Sequence, residues 1–306
     1  MTDLTPAKIV EINELVEAEA HVNFFLCAPP EFSRPFPLEV KRIGSVMVSA
    51  IPESDNVTFN RILGLGVGEP ATESMLDEAI AFFQNNGCKN YSAQISSLAQ
   101  PAQLPEWLAA RGFKPGRNWA KVYRGNEPVP AISIDLRVEK IGKDQADAYA
   151  DVVIPVFGMT PAYRPLVKGS VGKPGWHHYV AFDGKKPVSA AAMYINGDVA
   201  WLGFMGTRKS YRRRGAQSAL GARCGEEGLA LGCKWFVAEI KEEVPETPNP
   251  SYHNSKRGEF KLGYMQRSFI HQPPEGLVKK VRRALFIAAY SLKFEWQRLM
   301  QQRKTG

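Results

Sequence analysis

The sequence predicts a mixed α/β (α+β) chain: two tandem copies of one domain, each a mixed sheet flanked by helices, followed by a basic amphipathic helix. Three observations predict it. The first is an internal repeat. Residues 86–95 (NGCKNYSAQI) and 231–240 (LGCKWFVAEI) share Gly, Cys, Lys, Ala and Ile at an offset of 145. The second is a meander in the second half, where alternating apolar runs are joined by Asp183-Gly184 and Asn196-Gly197, the strongest short hairpin signal. The third is charge. The net charge is +8, and residues 277–306 alone carry +7, which leaves the body nearly balanced. The basicity therefore belongs to a tail and says little about what the body binds.

The two copies agree in element order. A helix pattern precedes each repeated segment, with Met75, Leu76, Ala79, Ile80 and Phe83 in one copy and Ala219, Leu220 and Leu231 in the other. Arg-Gly-Phe (111–113) or Arg-Gly-Glu-Phe (257–260) follows, and then a strand pattern at 118–123 or 261–268. A repeat this long means a duplicated domain rather than a solenoid. The expected units are 1–126 and 131–272, joined by the Pro- and Gly-containing stretch 125–133, with the tail at 275–306. In the second copy a strand is expected at 132–138, a helix at 143–157, and strands at 176–182, 187–195 and 198–206. A helix from about 214, a strand at 234–240, a short helix near 251–258 and a strand at 261–268 complete it.

No apolar run approaches the ~20 residues that span a bilayer, and the polar start MTDLTPAKIVEINELVEAEA does not read as a secretory signal. Cys27, Cys88, Cys224 and Cys233 have no short paired spacing, so neither a disulfide framework nor a metal site is expected. A reducing, cytoplasmic setting is the default.

The chemistry concentrates in WLGFMGTRKSYRRRGAQSALGARCGEEGLALGCKW (201–235). A strand ends near Thr207, a basic turn runs through Arg212, Arg213, Arg214 and Gly215, and a helix begins at once. The first amides of a helix have no internal partner and sit at the positive end of its dipole, so an anion such as a diphosphate fits there. Gly215 lets the backbone come close, and guanidinium groups add charge-assisted hydrogen bonds.

This segment resembles motif A of the GNAT N-acetyltransferases, Arg/Gln-x-x-Gly-x-Gly/Ala, matched by Arg212-x-x-Gly215 with Gln217 standing where Gly or Ala is usual. The resemblance implies an acetyl-CoA-dependent N-acetyltransferase acting on a primary amine, with acetyl-CoA as cosubstrate and no metal. It implies that Arg212, Arg213, Arg214, Gly215, Ala216, Gln217 and Ser218 hold the coenzyme diphosphate. It also implies that the backbone of Met205, Gly206 and Thr207 pairs with the pantetheine arm, and that Ser251 and Asn254 lie near the coenzyme. The position where many members carry a general-acid tyrosine is Ser255, and the base position on the fourth strand holds no carboxylate. Glu239 is then the candidate base, ahead of Glu242 and Glu243, and Tyr264 or Tyr252 the candidate acid. His177, His178, Tyr163 and Arg164 have structural or loop roles as alternatives to cleft roles, and Cys224 and Cys233 read as core. The first copy has Gly66–Thr72 in place of the arginine turn, with Glu69 where phosphate would bind, and reads as a degenerate GNAT-like half that shapes the cleft.

A competing possibility is a GNAT-like protein that binds coenzyme A, a membrane or nucleic acid without turnover. The tail stripe Leu277, Val281, Leu285, Ala288, Leu292, Trp296 and Leu299 suits docking on its own body, a homodimer partner, or an anionic membrane surface, with nucleic acid last.

Overall fold

The computed structural model describes residues 4–52, 54, 56–245 and 249–271, so the tail and its proposed partners lie outside the described residues. The first half runs α1 (Pro6–Leu26), α2 (Pro30–Ser33), β1 (Glu39–Ile43), β2 (Val46–Ala50), β3 (Arg61–Leu63), α3 (Glu73–Asn85), β4 (Tyr91–Ile95), α4 (Leu104–Ala110), β5 (Lys114–Pro115) and β6 (Trp119–Arg124). The second runs β7 (Arg137–Ile141), α5 (Ala146–Val156), α6 (Arg164–Gly169), β8 (Trp176–Asp183), β9 (Lys186–Asn196), β10 (Val199–Thr207), α7 (Ala216–Ala230), β11 (Trp235–Lys241), α8 (Pro250–Arg257) and β12 (Lys261–His271).

The repeat is structural. In each half a helix crosses over between two parallel strands, α3 between β3 and β4 and α7 between β10 and β11, as a parallel pair requires. One strand starts later than expected. Residues 132–136 do not extend; β7 begins at Arg137. Leu136 is instead buried with Ala216 and Leu220 of α7, with Ile134 packed against them, while Ile132 stays exposed.

All the strands among the described residues join one mixed sheet, β1-β2-β3-β4-β12-β6-β11-β10-β9-β8-β7, with β5 beside β12. The halves exchange their last strands. β12 of the second half pairs with β4 of the first, Arg267 opposite Ile95 through His271 opposite Tyr91. β6 of the first half pairs with β11 of the second, Phe236 opposite Arg124 through Lys241 opposite Trp119. The two exchanged strands then pair with each other.

α1 lies across this joint and touches β2, β6, β9, β10, β11 and β12. Thr5 caps it, accepting from the Lys8 amide at 3.3 Å, and Pro6 opens it. Its buried side includes Phe24 and Phe25 but also Asn13, Glu14 and Glu17. One apolar core sits between α1, α5, α6 and the second-half sheet; a second packs under α3 and α4, and a third under α7.

Neither half can complete its sheet alone, since each lacks the strand that fills its own gap. Residues 1–126 expressed alone should therefore show no cooperative melt by circular dichroism, and should gain one when mixed with residues 127–306. A fragment that melts cooperatively by itself would contradict the exchange.

Candidate functional site

The cleft exists because two neighbouring strands part. β10 and β11 pair only from Val199 opposite Trp235 to Leu202 opposite Ala238. Beyond that, β11 continues with β6, while β10 follows β9 through a bulge between Gly203 and Gly206. Phe204 at the bulge takes a left-handed φ of 49°, a costly conformation for a phenylalanine that concentrates at functional sites. Gly203 is required next to it, because a Cβ there would run into the Trp201 indole. The opening is a cleft of about 740 Å³, bordered by Gly203, Phe204 and Met205 on one side and Ala238, Glu239, Ile240 and Lys241 on the other. That volume is within the usual range for a small-molecule site.

At one end of the cleft is the arginine turn. After a short 3-10 turn at Lys209–Tyr211, Arg213 and Gly215 adopt φ of 66° and 76°, and α7 starts at Ala216. No side chain caps α7. Its first amides are therefore left facing outward at the positive end of the dipole. The equivalent place in the first half is closed. There Thr72 caps α3, accepting from the Met75 amide at 3.2 Å. Glu69 accepts from the Ser45 amide at 2.6 Å, and the loop is pinned by Gln100, whose amide donates to the Gly66 carbonyl at 3.0 Å. One fold thus contains a capped and an uncapped version of the same helix start.

The three arginines differ. Arg212 and Arg213 are exposed, and Arg212 lines the cleft. Arg214 is held by Asp135 and, at 3.3 Å, by Asp183, and lies over the Tyr211 ring. It ties the turn to the segment before β7 and to β8, whereas Arg212 and Arg213 have no such acidic partners among the described residues. Gln217 and Ser218 line the cleft, while Ala216 is buried beneath them. Gln217 donates to Ser251 Oγ at 3.2 Å and accepts from Asn254 Nδ2 at 2.8 Å, so α8 is docked on the start of α7 and Ser251 and Asn254 face the same cleft. Of the strand residues singled out, Met205 borders the opening. Gly206 and Thr207 do not: they pair with Ala190 and Ser189 of β9, and Thr207 and Ser189 share a hydroxyl hydrogen bond of 2.7 Å. The exposed strand edge is Gly203–Met205, shifted toward the bulge.

At the other end the first half supplies the wall. His21, Asn56, Thr58, Phe59 and Arg61 line the cleft beside Phe157, Met159, Trp201 and Phe204. Beneath them lies a buried charge cluster. Arg61 donates to Glu17 at 2.6 Å, to Glu239 at 3.3 Å, and to Gln94. Lys121, 1% exposed, contacts Glu17 and lies 3.3 Å from Glu239. Burial, and then Glu239 opposite, push the Glu17 carboxyl up to about 7. Burial also pushes Glu239 up, but Arg61 and Lys121 outweigh it and hold Glu239 below the usual carboxylate range. The two carboxyls behave as a pair sharing one proton, with Glu239 the ionised member facing the cleft. His21 is held neutral, its pKa lowered to about 3 by burial and Arg61.

Tyr264 is elsewhere. Its buried hydroxyl donates to Glu14 at 2.6 Å, and Gln266 donates to the same carboxylate. Burial and Glu14 push its pKa far up, so it offers no proton to the cleft, which corrects its expected role as acid. Tyr252 lies under Lys256, while Ser255 lines the cleft. Glu242 offers its carbonyl to Arg117, and Glu243 accepts from the Asn249 amide and His253. His178 is buried against Ser170, His177 pairs with Glu227, Tyr163 is packed on Phe32 and Phe36, and Arg164 pairs with Asp147 and Asp151. Cys224 and Cys233 are core. The sequence reading missed Arg61, Lys121 and Glu17. A signal existed, since Glu14 and Glu17 stand three apart on the apolar side of α1, but their partners are over 40 residues away.

The cluster predicts a pH dependence. Folded Glu17 keeps its proton to about pH 7, whereas unfolded it releases it near 4.5. The folded state thus binds more protons in that window, and stability falls as pH rises through it. Glu239 has the opposite shift, and its contribution is complete above 4.5. Urea midpoints measured between about pH 5 and 7.5 should fall for the wild type and fall markedly less for Glu17→Gln. Equal slopes would contradict the assignment.

No protein-family model matches the sequence, and no curated protein is similar to it in sequence. Solved structures are similar in fold. A GCN5-related N-acetyltransferase from Kribbella flavida superposes with a TM-score of 0.60 at 13% identity, over 87% of this chain and 98% of that one. One from Sphaerobacter thermophilus gives 0.57 at 14%, over 90% and 96%. A tandem GNAT protein from the clavulanic acid biosynthesis pathway gives 0.54 at 14%, over 89% and 98%. With its duplicated helix-crossover units and parted central strands, the chain has the fold of the GCN5-related N-acetyltransferases, the GNAT fold, in tandem form.

Proposed function

We propose that the chain is an acyltransferase that moves the acetyl group of acetyl-CoA to a primary amine, working in the second-half cleft. The observation that carries this reading is the uncapped start of α7, flanked by Arg212 and Arg213, at the mouth of an opening between β10 and β11. A diphosphate is the group that such a helix start and guanidinium pair suit. The unpaired strand edge at Gly203–Met205 suits an amide-bearing arm lying alongside as an added strand. The first half, with its corresponding helix capped by Thr72, takes the part of a wall for the acceptor.

In this reading the acceptor enters as an ammonium and gives one proton to a Glu239–Glu17 pair that has released its shared proton. The neutral nitrogen attacks the thioester carbonyl carbon. The resulting oxyanion is met by the backbone N–H groups of the parted β10 edge. The carbon–sulfur bond then breaks, and the second ammonium proton leaves nitrogen for the departing thiolate. No tyrosine is required for that transfer. The carboxyl pair returns its proton to water, so amine and thioester become amide and thiol with one proton released. A pair titrating near neutrality is well matched to this work.

Calorimetric titration with acetyl-CoA and a thiol-release assay over a panel of amines test the proposal. Wild type should bind, with affinity falling as salt rises. Arg212→Glu, on an exposed side chain, should weaken binding at least about tenfold, and Gly215→Glu at least as much. Glu239→Gln should bind normally but turn over about 100-fold or more slowly at neutral pH. Wild-type protein that does not bind acetyl-CoA would overturn the proposal, and binding without turnover of any amine would leave a coenzyme-binding protein.

A further inference from the structure

We infer that the acceptor is an amine carried on an apolar, ring-sized body, held as its ammonium at Glu239 with the body against Phe59, Phe157, Trp201 and Phe204. This rests on the acyl-transfer reading above and specifies its second substrate.

Three features of the far end of the cleft lead here. The first is the charge count. Glu239 is the single acidic side chain among the described residues that line the cleft. It belongs to a buried group of three carboxylates, Glu14, Glu17 and Glu239, facing two cations, Arg61 and Lys121. Once the proton shared with Glu17 leaves, one negative charge is left over. In a low-dielectric site an excess charge is costly until a proton or a cation joins it. An ammonium at Glu239 supplies that cation from the open side. A substrate carboxylate would add a fourth negative charge.

The second feature is that the buried cations at this end are already engaged, which leaves Lys241, exposed and two residues along β11 from Glu239, as the nearby cation on the open side. Arg61 is committed to Glu17, Glu239 and Gln94. Farther along the wall, Arg117 and Arg124 donate to the backbone carbonyls of Glu242, Glu127, Pro128 and Gly258. His21 brings no charge. Ser49 donates to the Phe59 carbonyl at 2.9 Å, so His21 Nε2 is the donor to Ser49 at 2.9 Å, and its Nδ1 remains an acceptor. An acceptor nitrogen and a carboxylate thus line the buried side of this end.

The third feature is the wall itself. Phe204 stands edge-on to both Trp201, at 6.1 Å and 81°, and Phe157, at 6.2 Å and 79°. The left-handed bulge fixes this ring in place. Phe59 also lines the cleft and is itself packed against Phe25 and Tyr163. Rings at this spacing bury a flat apolar body and attract a neighbouring cation through their faces. A short polyamine has no body to fill the space, and an α-amino acid brings a carboxylate that would face Glu239 when its ammonium is seated there.

The test uses full-length protein saturated with coenzyme A, which cannot donate an acyl group. Calorimetry then compares phenethylamine, 3-phenylpropan-1-ol, 3-phenylpropionate, phenylalanine and methylamine. Phenethylamine should bind at least about tenfold tighter than the alcohol or methylamine, and the two carboxylates more weakly still. Glu239→Gln should erase the preference for the amine over the alcohol. Phe59→Leu should weaken both by a similar factor, and neither variant should alter coenzyme A affinity, which reports an intact fold. Equal or tighter binding of a carboxylate or of methylamine, or an amine preference that survives Glu239→Gln, would overturn the inference while leaving acyl transfer standing. So would binding of coenzyme A with no probe bound. Failure of coenzyme A itself to bind would instead strike the acyl-transfer reading.

Discussion

The parting of β10 from β11 after four residue pairs is the constraint on which the rest of the molecule depends. Two causes combine to produce it. A bulge at Gly203–Gly206 bends β10 toward β9. On the other side, β11 finds its partner in β6, a strand contributed by the first half. Without the exchanged strand, β11 would have an exposed edge and the cleft would have one wall. The opening between the strands is thus a consequence of duplication as much as of local sequence.

Both ends of the cleft follow from that opening. Toward α7, the strand delivers the chain into a turn whose left-handed residues, Arg213 and Gly215, start the helix with no side chain over its amides. Toward the first half, α1 crosses the joint and carries Glu14, Glu17 and His21 down to it. Those side chains meet Arg61 from β3, Lys121 from β6 and Glu239 from β11, so four elements from both halves converge on one buried electrostatic group. Breaking one member of such a group strands another charge, a loss of about 3–5 kcal/mol. The joint and the acceptor end are therefore the same structure, and the first half, with its own helix start capped, is kept in this role.

What the sequence made legible was local. The meander, the arginine turn and the repeat are set by neighbours a few residues apart, and the fourth strand, α7, β11 and α8 fall within a residue or two of their expected bounds. Ser251 and Asn254 were singled out by the family resemblance rather than by spacing, and their contacts with Gln217 appear only in the structure. What stayed hidden was long-range. Strand exchange conserves every local pattern and changes only which copy each strand joins. Tyr264 looked available because its partner, Glu14, lies 250 residues earlier. Arg214 looked like part of an anion site because Asp135 and Asp183 could be placed beside it only by the fold. Residues 132–136 alternate like a strand, yet α7 takes Leu136 and Ile134 instead and Ile132 is left exposed.

The central claim is that one edge of β10 and the first amides of α7 together hold a single extended ligand. Hydrogen–deuterium exchange with and without acetyl-CoA tests it most directly. Protection should rise together in the peptides covering 203–205 and 213–218, and remain unchanged at the capped helix start around 72–76. Protection confined to other segments, or equal at both helix starts, would contradict it.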